Sequence, residues 1–138
     1  PIHDIPPMGK DRMPKDSWEM AENIGVNYLE YMTWIDWMYN LSRYSYAFML
    51  MNTTASGSFA LNCAYHGIPC IGDIKADTQR ILFPELSVGT YEIGKALHLL
   101  KKLKNDKVYY NDVSQKAKEM YDLHFTKEEY LNILNKDF

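Results

Sequence analysis

Apolar and polar positions along this chain follow two periods, and the change from one to the other marks where helices give way to strands. Thr33 with Asp36 offers a capping pair, and Trp34, Trp37, Met38 and Leu41 follow at i, i+3, i+4 and i+7. This spacing predicts an amphipathic helix whose Trp–Met–Leu stripe enters the core. Tyr46 to Met51 is an unbroken apolar run. A run this short, placed after a helix, predicts a strand covered on both faces, as in a parallel sheet. A loop of small polar residues, 52–58, comes next. A helix from about Ser58 to Tyr65 then ends at His66-Gly67, with the glycine as the stop. The short strand Pro69–Gly72, a helical turn over 76–82 closed by Pro84, and a last strand over 86–88 complete the alternation.

The flanks read differently. Residues 1–14 hold four of the six prolines and show no period, so 1–15 is expected to be an extended arm or linker before a domain spanning 16–138. Asp16 and Glu19 cap a short helix carrying Trp18, Ala21 and Ile24, and Val26 to Tyr31 reads as a strand. Beyond residue 90 the chain is helical. Ile93, Ala96, Leu97, Leu100 and Leu103 mark one face, and Val113, Ala117, Met120 and Tyr121 a second. Thr126 with Glu129 caps a third helix. Strands alternating with helices predict an α/β fold: a Rossmann-like parallel sheet with flanking helices and a helical C-terminal tail.

Composition narrows the function. The 138 residues suit one core, and 46% hydrophobic with 24% charged is an ordinary globular balance. A net charge of −3 argues against nucleic acid as a partner. The longest apolar run is too short to cross a bilayer. Two cysteines make no disulfide framework, so a cytoplasmic protein is expected.

The chemistry concentrates between Thr53 and Gly72. Ligands of open parallel sheets bind beyond the carboxyl ends of the strands. Ser56-Gly57-Ser58 opens a helix at such an end, where free backbone N–H groups and a partial positive charge favour phosphate. Gly57 lets the phosphate approach the backbone, and Ser56 and Ser58 can add hydroxyl donors. Lys75 or Arg80, in the polar segment Asp73–Arg80, could neutralise a diphosphate, although a solvated loop is the simpler reading of that segment. Cys63, His66 and Cys70 lack a fourth ligand for zinc, so both cysteines read as small buried hydrophobes and His66 as a charge at a helix C-terminus. Ser56, His66 and Asp73 could be strung into a triad, but no Gly-x-Ser-x-Gly elbow is present. Lys95, Lys101, Lys102 and Lys104 read as a solvated helix face.

Apolar strand, Ser56-Gly57-Ser58, helix, then Gly67-Ile68-Pro69-Cys70-Ile71-Gly72 resembles the C-terminal, donor-nucleotide-binding domain of GT-B glycosyltransferases over roughly residues 26–125. The resemblance implies half of a GT-B fold that binds a UDP- or GDP-linked sugar and transfers the sugar to an acceptor. It also implies no metal and no other cofactor, an N-terminal acceptor domain missing from this chain, and, since some members work at membranes, peripheral contact of the lysine face over 95–104 with anionic lipid as the alternative to a solvated one. The start at Pro1 fits a piece of a longer protein, inactive alone, and homo-oligomerisation stays open. Many retaining members carry two glutamates eight positions apart around this helix; Thr54 and Asn62 stand at the matching positions here. Uncharged, they suit ligand hydrogen bonds better than carboxylate chemistry. Donor contacts are thus expected from Thr54, Ser56, Gly57, Ser58, Asn62, Lys75 and Arg80, and no catalytic residue is assigned. A sugar-nucleotide epimerase of the same fold and a non-catalytic α/β interaction module are the alternatives.

Overall fold

A computed structural model describes residues 2–4, 19, 23–29, 32–50 and 57–137. The chain divides into two compact units, Pro1–Trp37 and Met38–Phe138. In the first, β1 (Ile2–Asp4) pairs in parallel with β2 (Val26–Tyr28), in the register Ile2 to Val26 and Asp4 to Tyr28. Within the stretch expected to be an extended arm or linker, residues 2–4 form this paired strand. The helix expected from Asp16 lies outside the described residues, apart from Glu19, Asn23 and Ile24.

Helix α1 (Trp34–Leu41) begins as its capping pair predicts. The Asp36 N–H donates to Thr33 Oγ1 at 3.2 Å, and the Thr33 hydroxyl donates back to Asp36 Oδ2 at 2.6 Å. The expectation that its stripe enters the core fails. Only Leu41 is buried; Trp34 is 68% exposed, and Trp37 and Met38 are half-buried. Periodicity shows which side chains share a face, not whether a neighbouring element covers that face.

The second unit is mixed α/β. It runs β3 (Ala47–Met49), α2 (Ser58–His66), β4 (Cys70–Asp73), α3 (Asp77–Leu82), a 3-10 turn at Pro84–Leu86, and β5 (Ser87–Val88). The strands form a parallel sheet in the order β3-β4-β5. Met49 lies level with Gly72, and Gly72 with Ser87. All four residues of central β4 are buried. The apolar run around β3 predicted cover on both faces; among the described residues β3 lies at the edge of its sheet, and Phe48 is 42% exposed.

Local chemistry sets the ends of α2. Gly67 takes the left-handed conformation (φ 68°, ψ 31°). Its N–H donates to the Ala64 carbonyl and the Ile68 N–H to the Cys63 carbonyl, both at 2.9 Å, the paired bonds of a Schellman stop. The tail is three helices: α4 (Ile93–Asn105), α5 (Lys107–His124) and α6 (Lys127–Asp137). Asp106 caps α5 by accepting from the Tyr109 N–H at 2.9 Å. As expected, the Glu129 N–H donates to Thr126 Oγ1 at the start of α6. Helix α5 packs on α2, α3 and α4 through a face that buries Val113 and Ala117. Its Ser114 hydroxyl donates to the Gly67 carbonyl at 2.5 Å, and its Tyr110 hydroxyl to the Ser45 carbonyl at 3.0 Å. Helix α4 buries Ala96, Leu99 and Leu103, so its inward face is rotated from the predicted one and Leu97 points to solvent.

Candidate functional site

Parallel pairing brings the carboxyl ends of β3, β4 and β5 to one edge, and the starts of α2 and α3 lie there too. Gly57 stands immediately before α2 with φ 69° and ψ 112°, a backbone conformation that side chains with a Cβ rarely adopt. No side-chain cap at Gly57 closes α2, whose first turn lies at this edge. The Gly57 carbonyl accepts from the Thr78 hydroxyl at 2.6 Å, which ties the start of α2 to the start of α3. A Cβ at Gly57 would stand 3.3 Å from Thr78 Oγ1 and 3.6 Å from Met49 Cε.

Asp73 closes β4 and is almost fully buried. Its Oδ2 accepts from the Thr90 hydroxyl at 2.6 Å and its Oδ1 from the Lys75 N–H at 2.9 Å. The Ile74 N–H donates to the Val88 carbonyl alongside. The Thr90 bond, with lesser help from the Lys75 N–H and charge, holds this carboxyl below its ordinary range against the opposing effect of burial. It is a buried anion that joins the loop after β4 to the loop after β5. One turn further, Glu92 accepts from the Gly89 N–H at 2.7 Å and from Lys95 at 3.4 Å. The Gly89 bond first, and Lys95 second, lower its carboxyl. Residues 89–92 are thereby fixed at both ends, and Tyr91 projects 85% exposed between them.

The residues expected from sequence fall as follows. Thr54 and Ser56 lie outside the described residues. Gly57 and Ser58 sit at the edge, with Ser58 exposed as the first residue of α2. Asn62 lies one turn into α2 and is half-buried. Lys75 follows β4 and is exposed. Arg80 is in the last turn of α3, where its guanidinium pairs with Asp77.

The reading of Asp73–Arg80 as a solvated loop needs correction: Asp73, Thr78 and Gln79 are buried. Gln79 lies flat on β4, its Nε2 donating to the Cys70 carbonyl at 2.9 Å, and its Oε1 has no hydrogen-bond partner among the described residues. Sequence reasoning missed the Asp73–Thr90 bond, because nothing local links residues seventeen positions apart. It also missed the bond from the Gly89 N–H to the Glu92 carboxylate.

Two other constellations separate or close up. His66 ends α2 at the amino end of β4, whereas Asp73 is at the carboxyl end, so no triad can form from them. Cys63 and Cys70 are both buried and adjacent; the contact with Cys70, and burial after it, push the Cys63 thiol up, leaving it an inert neutral group. No cluster of three metal-ligating side chains occurs among the described residues. A groove of about 300 Å³ between α3 and α5, lined by Leu82, Phe83, Val113 and Met120, opens at the amino end of β5, away from this edge. No described helix is long and apolar enough to cross a membrane. Comparison of the chain with protein-family models, curated proteins and solved structures returns no match.

Proposed function

We propose that this chain is the donor-nucleotide-binding half of a two-domain glycosyltransferase of GT-B type. In this reading its parallel sheet is part of a Rossmann-like layer that holds a UDP- or GDP-linked sugar by the diphosphate. The observation that carries the reading is Gly57: a helix start at the carboxyl edge of a parallel sheet, in a conformation that excludes a Cβ from the anion's approach. Supporting it, Thr78 and Asp73 lock the surrounding loops in place, so the donors are organised before a ligand arrives. Ser58 and Lys75 stand at the same edge. Sugar transfer needs the acceptor domain, so the chain alone binds nucleotide without turning it over.

Titration calorimetry with UDP, GDP and ADP tests this. At least one binds the wild type, and Gly57→Val weakens binding at least tenfold, read at a temperature where circular dichroism shows the variant folded. No heat with any nucleotide at millimolar concentration sinks the reading and favours an interaction module. Product formed from a nucleotide sugar without an acceptor would point to an epimerase.

A further inference from the structure

Among the described residues, two apolar surfaces of the second unit stay uncovered, and they match in length. The first is on α6. Tyr130 is 63%, Leu131 44% and Ile133 48% exposed, and no described side chain from 127 to 136 is buried. At about 100° per residue, Tyr130, Leu131, Ile133 and Leu134 fall within roughly 160° of arc, so they form one face. The second is the groove between α3 and α5, walled by Leu82, Phe83, Val113 and Met120. Leu123, one turn beyond Met120 on α5 and 60% exposed, lengthens it. Residues 113–123 run for about 15 Å along α5, and the eleven residues of α6 span about 16 Å.

We propose that α6 of one copy docks in the α3–α5 groove of a second copy, and the reverse, in a two-fold dimer. Area selects this occupant. The apolar arc of α6 offers roughly 300 Å² of accessible surface, and the groove it fills about as much. One helix in one groove thus buries about 600 Å², well short of the ~1,200–2,000 Å² of a stable contact, whereas a reciprocal pair reaches about 1,200 Å². A second copy carries both surfaces, so it supplies both contacts at once, and two-fold symmetry closes the assembly. Charge agrees. Lys127 lies beside Leu131 and Leu134 on the apolar face and has no ion-pair partner among the described residues. Glu119, on the groove rim, accepts from the uncharged Gln115, while Lys116, the cation of the groove, is already held by Glu85 and Asp112. Lys127 of one copy and Glu119 of the other are therefore set to pair. The groove opens away from the candidate edge, so the dimer leaves that edge free, and the inference does not depend on the sugar-transfer reading.

Sedimentation velocity of the full chain, from low to high micromolar concentration, tests it. The wild type should dimerise within that range. Tyr130→Asn with Ile133→Asn should weaken association by roughly 30-fold. Lys127→Glu should weaken it about tenfold, and so should Glu119→Lys, because each sets like charges together in both contacts. Mixed in equal amounts, these two charge variants should recover the wild-type association, since each contact of the mixed dimer again pairs opposite charges. All four positions are exposed, and thermal melts confirm that the variants fold; if the double asparagine variant does not, Ile133→Asn alone replaces it. A wild type that stays monomeric throughout overturns the proposal. So does a mixture that associates no more strongly than either charge variant alone, because helix and groove then do not meet across two chains.

Discussion

Gly72, the last glycine of Gly-Ile-Pro-Cys-Ile-Gly, gives the sharpest test of how this unit is packed. Its backbone is not in the left-handed region, so Gly72→Ala strains no dihedral and should gain about 0.5–1 kcal/mol from a less flexible unfolded chain. Packing reverses the sign. A Cβ there would overlap Oε1 of Gln79 and stand 2.6 Å from its Cδ and 3.0 Å from its Cγ. The end of a flexible side chain usually moves aside at little cost, but Gln79 is fully buried and its Nε2 holds the Cys70 carbonyl. Overpacking costs about 1–3 kcal/mol, and breaking that bond about 1 kcal/mol more. The net expectation is a loss of roughly 1.5–3 kcal/mol, a fall in melting temperature on the order of 10 °C for a unit of this size. Urea unfolding followed by circular dichroism measures it, in the wild-type and in the Gln79→Ala background. With Gln79 truncated, Gly72→Ala should be neutral or slightly stabilising. An equal loss in both backgrounds would refute the argument, as would a change of under about 0.5 kcal/mol in the wild type.

Two further substitutions probe neighbouring features. Asp73→Asn tests the buried anion: a carboxyl lowered in the folded state stabilises above its ordinary value of 3.8, and that contribution is lost as pH falls through the lower folded value. The wild type should therefore exceed Asp73→Asn in urea midpoint at neutral pH, with the gap closing below about pH 4; a gap that does not change with pH contradicts the assignment. Gly67→Ala forces a Cβ into the left-handed region, costing about 1–2 kcal/mol, and sets it 2.8 Å from Ser114 Oγ. Adding Ser114→Ala should recover the steric part of the loss and not the dihedral part, as read from thermal melts of the three variants.

Elements with a local cause were legible in the sequence. The caps at Thr33 and Thr126 and the stop at Gly67 are hydrogen bonds over a few residues, and each forms as its residue types dictate. The order of strands and helices from β3 to β5 followed from the change in period. What failed depends on which surfaces meet. The stripe of α1 has the right period but is only partly covered, and Leu97 belongs to the predicted face of α4 yet points outward. The polarity of Gln79 and Asp73 suggested solvent, whereas long-range partners, the Cys70 carbonyl and Thr90, make both of them interior residues. For the candidate site, sequence located the edge through Gly57 and Ser58; it did not show that Asp73 and Thr90 bind the edge together.

That bond changes how an anion could be held. Lys75 and Arg80 were the expected counter-charges, but each has a carboxylate beside it: Lys75 contributes to lowering Asp73, and Arg80 pairs with Asp77. The segment from Asp73 to Arg80 therefore carries no net charge with which to draw in a diphosphate. Attraction at this edge falls to the backbone N–H groups at the start of α2, whose dipole acts over about one turn. Such a seat is directional but shallow. Free phosphate would gain little there, while a nucleotide sugar that also touches the flanking loops would gain from several contacts at once. Under the proposed reading, selectivity would reside in the base and the sugar, with the phosphate seat setting their register. The salt dependence of nucleotide affinity should then be weaker than a lysine–arginine cluster would give, because few mobile counter-charges are displaced on binding.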